Sequence, residues 1–381
     1  MAAVLSSKPL ESNYRLFEIR GVSLPLGLSW LTEGLIALCS IALQGLLIAM
    51  KTNASYRTFQ EVFVSNFHNS LSFDDFLNLS VDKNIEVTQI KEREIVKPSE
   101  RLKRILHFLA KNVFDYGIIA TEVVFSYRKG VNVRDAVLPH SKNKFFFQTD
   151  ISNFFSSITK PLVRNSIRNG LGSVPISDVH EYLDVILNLV SYKNGLPLGF
   201  PTSPAISNMC LLNFDKELLI QSNKLDVSYT RYADDIILSA DNEEVLRKLA
   251  AMVSGLLQEF VGAEIKLNET KTRCLQKGQK VKLLGVVILP NGQISIDRAD
   301  KVEIETLLHF YLTNDDKFLG YGLALKNKKT KNDKIITREN VISMLSGRLI
   351  GANAMAPEYL LKLRQKYGNT IIDMFLHKSA K

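Results

Sequence analysis

The most apolar stretch of the chain comes early. Gly34 to Met50 runs seventeen residues without a charge, at the short limit of the roughly 17–25 that span a bilayer. Gln44 lies inside it, Glu33 precedes it and no second long run follows, so the pattern predicts a buried helix rather than a membrane span. The run starts after Glu11 and Glu18 with no basic leader, which argues against a secretory signal. From Ser55 to about Ile95 the pattern is mixed helix and loop, with Phe63, Phe67, Phe73 and Phe76 as core candidates and His68 isolated. Next, Ser99 is placed to cap a helix whose Leu102, Ile105, Leu106 and Leu109 share one face. Lys144–Ile151, KFFFQTDI, reads as an apolar strand ending on Asp150, with a helix following at about Pro161–Asn169. Val227–Ala240, VSYTRYADDIILSA, reads as two apolar, β-rich halves around Ala233-Asp234-Asp235, a hairpin with paired carboxylates at its tip. Two further helices are predicted, Lys301–Leu312 and Ile336–Leu349, with the run Lys326-Asn327-Lys328-Lys329-Thr330-Lys331 in the loop between them.

Composition narrows the class. A chain 46% hydrophobic and 23% charged can bury a sizeable core, and 20 Gly with 11 Pro exclude a collagen-like protein. Cys39, Cys210 and Cys274 are odd in number and far apart, which excludes a disulfide scaffold; no CxxC or Cys/His pair supports zinc. A reducing compartment follows. The net charge is +9, but residues 1–95 carry 8 basic against 10 acidic side chains, so the surplus lies in the rest. A basic body fits a polyanionic partner and fits equally a solvated surface. The expected organisation is a mostly helical extension over 1–95, a central unit over 96–297 and a basic helical unit over 298–381.

Two features carry chemistry. A carboxylate at the end of a buried strand is costly unless a cation or a capping role compensates it, so Asp150 is a structural or a catalytic residue. Adjacent Asp234 and Asp235 repel each other, and a divalent cation would relieve them; a solvated acidic turn is the alternative. Three converging carboxylates make a hard oxygen site that suits Mg²⁺. Two such ions about 4 Å apart activate a hydroxyl and stabilise a leaving pyrophosphate, so the implied reaction is nucleotidyl transfer.

These residues resemble the reverse transcriptases. Tyr232-Ala233-Asp234-Asp235 is similar to their YxDD hairpin, and Asp150 with Phe154-Phe155 to their first palm motif. GLPLGFPTSPAISN over 195–208, Leu267–Thr272, Lys282–Gly285 and SGRLIGANAMAPEYLLKLRQKYG at the end resemble further elements of the family in its order. The resemblance spans roughly Ser99 to Gly368 and implies an α+β right-hand polymerase of fingers, an antiparallel palm and a helical thumb. It implies catalysis by Asp150, Asp234 and Asp235, two Mg²⁺ ions held by them and by the Ile151 carbonyl, and a Phe155 ring that clashes with a 2′-hydroxyl. It places Arg128, Lys129, Leu198, Gly199 and Lys271 on the incoming nucleotide and Arg348 on nucleic acid, while the charges of Lys326, Lys328, Lys329 and Lys331 suit phosphate contact or a solvated loop. Leu198 departs from the family's glutamine and offers no hydrogen bond. Asp135–His140 and Leu283-Leu284-Gly285 replace the NAxxH and VTG signatures of retron enzymes.

The resemblance therefore implies an RNA-directed DNA polymerase of the retron and defence-associated bacterial group. Its partners would be dNTPs, a dedicated non-coding RNA template, its DNA product and a co-encoded effector, in the bacterial cytoplasm, within an anti-phage system. Template-independent or protein-primed synthesis, a retron enzyme making msDNA, and an idle RNA-binding scaffold are the alternatives. The absence of a zinc or HNH motif after Gly368 disfavours a mobile element.

Overall fold

The computed structural model describes residues 6–9, 15–18, 56–68, 70–90, 93–278, 280–329 and 337–377. The chain divides into two compact units, Met1–Tyr56 and Arg57–Lys381. In the first, β1 (Ser6–Pro9) pairs antiparallel with β2 (Arg15–Glu18). The apolar run 34–50 lies outside the described residues. Among those described, no helix is long and apolar enough to cross a membrane.

The second unit opens with two short helices, Phe59–Phe67 and Phe73–Asn78, each started by a capping box (Thr58 with Glu61, Ser72 with Asp75). Of the core candidates Phe63, Phe67 and Phe76 are buried and Phe73 is partly buried against them; Phe59, which was not among the candidates, is buried with them. The rings of Phe59, Phe63 and Phe67 meet Phe108 of the helix Glu100–Asn112 at 5.2–5.8 Å between centroids, and Phe76 stacks on Phe59 at 4.9 Å. That longer helix starts where expected, because the Ser99 hydroxyl accepts from Leu102 N–H, and it buries Leu102, Ile105, Leu106 and Leu109. Between these helices, β3 (Ile85–Ile90) and β4 (Arg93–Pro98) form a hairpin. The boundary expected at residue 95 falls inside β4, and a single core extends from Phe59 through Val96 to Ile265.

Four strands, β5 (Phe145–Asp150), β6 (Ser228–Tyr232), β7 (Asp235–Ala240) and β8 (Arg273–Gln276), make an antiparallel sheet in the order β6-β7-β5-β8. Alternation along the strands sends Phe147, Ile236 and Leu238 to one face and Phe146 and Ile237 to the other. The first face is covered by the helices Leu212–Lys224 and Glu243–Phe260. Against the second pack Val137 and a smaller sheet of β9 (Val281–Leu283), β10 (Val286–Ile288) and β11 (Ile294–Ile296). Because both faces are covered, β5 opens on three consecutive phenylalanines, Phe145 to Phe147, instead of alternating.

From Arg298 onward the described residues are mostly helical, with their own core of Ile304, Leu307, Leu308, Phe318, Leu325, Val341, Leu345 and Leu349. Asp297 caps the helix Arg298–Thr313, and Thr337 caps Arg338–Met355. Both predicted helices are present and longer than expected. The connection between them is a correction: it contains a third helix, Asp315–Lys329, so Lys326, Lys328 and Lys329 end a helix instead of lying in a loop. Gly320 and Gly322 disguise it, since each glycine costs a helix about 1 kcal/mol. Gly322 is there for packing, because a Cβ at that position would lie 2.5 Å from Val341 Cγ2. Two helices, Pro357–Tyr367 and Asn369–Leu376, complete the bundle.

Candidate active site

Strand register creates the site. Asp150, the last residue of β5, lies directly opposite Asp235, the first of β7. Tyr232 is also opposite Asp235, so Ala233 and Asp234 form a two-residue turn. Carboxylate oxygens of Asp150, Asp234 and Asp235 all fall within 4.8 Å of one another. Asp150 is buried and the other two are half-buried.

The surroundings hold these groups in place. Lys271 Nζ donates to Asp150 Oδ2 at 2.8 Å and Asn268 Nδ2 at 3.3 Å. Gln148 Nε2 donates to Asp235 Oδ1 at 3.1 Å, its amide oriented by Arg273 Nη2 at 2.7 Å. Ile151 N–H donates to the Asp234 carbonyl at 3.1 Å. The pairing of Ile151 with Leu267 uses the Asp150 carbonyl and Ser152 N–H and spares the Ile151 carbonyl. Burial, then the hydrogen bond and negative charge of Asp150, pushes the Asp234 carboxyl up to about 6. Burial also raises Asp235, while the hydrogen bond to Asp150 raises Lys271. Three hard oxygen donors that repel one another in a partly desolvated site are suited to a divalent cation, so the residues fit the metal the sequence implied.

A cleft of about 870 Å³ opens over the aspartates. Phe155, Leu198, Lys271, Arg93, Lys193 and Tyr127 line it together with Asp150, Ile151 and Asp234. Asn153, at φ +49, turns the chain out of β5 into the short helix Phe154–Ser157 and so delivers Phe155 to the cleft. The Leu198 carbonyl accepts from Val96 N–H at 2.8 Å. Gly199 does not line the cleft; at φ +115, with the Val96 carbonyl 2.5 Å from where a Cβ would stand, it allows β4 to approach.

Other expected residues lie elsewhere. Lys129 pairs with Asp115 at 2.6 Å, and Arg128 Nη1 donates to the Thr121 and Val124 carbonyls. Neither lines the cleft. The cations found there besides Lys271 are Arg93 and Lys193, the latter 2.8 Å from Glu94. Sequence reasoning missed both, as they are single cations a hundred positions apart; the one local signal is that Lys193 stands just ahead of GLPLG. Arg348 is mostly buried and pairs with Glu303 and Asp300, tying the helices Arg298–Thr313 and Arg338–Met355 together. Lys331 lies outside the described residues.

The family described as reverse transcriptase (RNA-dependent DNA polymerase) matches residues 83–288, more than half of the chain. The chain belongs to this family. This reverse transcriptase is an RNA-directed DNA polymerase of the α+β right-hand type. It is similar to the retron Ec83 reverse transcriptase of Escherichia coli, 27% identical over 74% of this chain and 84% of that one. The retron Ec73 reverse transcriptase of the same organism is 27% identical over 72% and 83%. Among solved structures, apo telomerase from Candida tropicalis covers 56% of this chain and 54% of its own at 13% identity and a TM-score of 0.40.

Proposed function

We propose that this reverse transcriptase holds two Mg²⁺ ions on Asp150, Asp234, Asp235 and the Ile151 carbonyl, and copies a dedicated non-coding RNA in a bacterial anti-phage defence system. The observation that carries the metal reading is the convergence of three carboxylates within 4.8 Å beneath the cleft. Bound there, the ions would activate the primer hydroxyl and stabilise the departing pyrophosphate. The protein's own groups do the rest. Arg93 and Lys193 offer donors to the triphosphate. Phe155 blocks a 2′-hydroxyl, so deoxynucleotides are selected. Lys271, freed from Asp150, gives its proton to pyrophosphate. Leu198 packs without a hydrogen bond to the sugar, which loosens the hold on the nucleotide.

The template and the defence role are supported by the bacterial retron relatives and by the resemblance of the motifs. Those relatives also favour a second reading, in which the product is msDNA. The protein would work in the cytoplasm beside a co-encoded effector.

Purified protein is incubated with dNTPs and Mg²⁺, and both the bound nucleic acid and the product are sequenced. DNA complementary to one co-purifying RNA supports the proposal. DNA matching no bound RNA moves the enzyme to untemplated or protein-primed synthesis. Bound RNA without incorporation, in parent and Asp234→Ala alike, would make it a scaffold.

A further inference from the structure

A charge lies at the centre of the palm that the chemistry above does not use. Arg231, on β6 two residues before Ala233, is fully buried. A guanidinium without solvent is costly unless its donors are paired. Here Nε and Nη2 donate to the two oxygens of Asp215 at 2.7 and 2.6 Å. The remaining nitrogen, Nη1, donates to Asn208 Oδ1 at 3.1 Å and to the Ala233 carbonyl at 2.9 Å. Tyr229 donates its hydroxyl to the same Asp215 at 2.7 Å, and Asn208 Nδ2 donates to the Ser126 carbonyl at 3.0 Å. The backbone of Arg231 is fastened as well: its N–H donates to Val123 O at 2.8 Å and its carbonyl accepts from Phe125 N–H at 3.0 Å.

Apolar residues of equal volume would stabilise the core as well as this ion pair does. What they would not do is grip a carbonyl. Ala233 has φ +58, a left-handed conformation that disfavours any side chain beyond glycine, and it immediately precedes Asp234. The Arg231 hydrogen bond reaches that strained residue from below.

We propose that Arg231 is a positioning residue: oriented by Asp215 and Asn208, it pins the Ala233 carbonyl, holds the turn in its left-handed form and so sets Asp234 against Asp150 and Asp235. The inference rests on the reading of those aspartates as the metal site.

The test replaces the whole polar cluster, Tyr229→Phe with Asp215→Leu and Arg231→Met, so that no buried charge is stranded. Circular dichroism and thermal melting report the fold. Mn²⁺ binding by electron paramagnetic resonance and single-nucleotide incorporation report the site. The folded variant is expected to bind Mn²⁺ and to incorporate dNTP about 10–100-fold less well, the cost usual for groups that orient metal ligands. Adding Ala233→Gly is expected to restore both, since glycine adopts φ +58 unaided. A merely structural role would give no such rescue. Unchanged Mn²⁺ binding in the folded variant, or a loss that Ala233→Gly does not reverse, overturns the proposal. If the triple variant does not fold, Arg231→Lys decides by the same readouts and the same rescue, because one ammonium cannot serve both Asp215 and Ala233. Asp234→Ala is the control: if it keeps Mn²⁺ binding and synthesis, the metal-site reading has failed and not the positioning argument.

Discussion

Replacing Asp234 by Asn removes a charge that folding forces into a poor place. In the metal-free protein the Asp234 carboxyl rises from an ordinary 3.8 to about 6, chiefly through burial and then through Asp150. Such a shift corresponds to about 3 kcal/mol at 1.36 kcal/mol per pKa unit. Asp234 is only half-buried, and solvent screening brings the figure to about 1–2 kcal/mol. The folded-state pKa is above the unfolded one, so the native state holds the proton more tightly. The contribution to stability is full below about pH 4 and is lost as pH rises through about 6. Asp234→Asn has no such titration. In chelator at pH 8 it should be more stable than the parent by about 1–2 kcal/mol, and the advantage should vanish near pH 4. Urea unfolding at a series of pH values, read as the difference between parent and variant, cancels the opposing slopes of Asp75, Asp297 and Asp373, whose pKa values are lowered. Added Mg²⁺ should stabilise the parent and not the variant, which should also be inactive. A variant no more stable than the parent at pH 8 in chelator would refute the reasoning that the carboxylates strain one another.

Phe155→Val should admit ribonucleotides more readily, measured by competition between dNTPs and rNTPs; an unchanged ratio returns the ring to packing. Gly199→Ala should destabilise the protein by about 2 kcal/mol or more, because the new Cβ meets the Val96 carbonyl at 2.5 Å in a backbone conformation alanine resists. Denaturant unfolding checks this, and a change below about 0.5 kcal/mol would mean that β4 yields freely. Neutralising Lys326, Lys328, Lys329 and Lys331 together should weaken RNA binding at low salt. Each lost phosphate contact should flatten the slope of log affinity against log salt by about 0.7–0.9, so an unaltered slope would show that this stretch does not hold nucleic acid.

The sequence disclosed what is local. Ser99 and the spacing of Leu102, Ile105, Leu106 and Leu109 define a helix without outside help. The apolar halves around Asp234-Asp235 define a hairpin, and the order of six motifs carries the likeness to the family. What stayed hidden depends on distant partners. Arg93 enters the cleft from the start of β4 and Lys193 from a distant turn, Lys129 is claimed by Asp115, and Arg348 by Glu303. The helix Asp315–Lys329 was hidden because Gly322 answers to Val341, not to helix propensity. β3 was missed for a different reason: exposed from Glu86 to Ile90, it has no buried face, and only the four residues Ile85 to Thr88 alternate apolar with polar.

The pairing of Asp150 with Asp235 makes the sheet a ruler, and that decides where the gene can be lengthened. One residue added within β5 would carry Asp150 about 3.3 Å along the strand and swing it to the opposite face, out of reach of its two partners. Ala263 and Glu264, by contrast, are exposed just beyond the helix Glu243–Phe260, where a longer loop adds little closure entropy and leaves every strand in step. An affinity handle or a fluorescent reporter belongs at that turn, from which the polymerase can be purified or followed in cells without disturbing the spacing of its carboxylates.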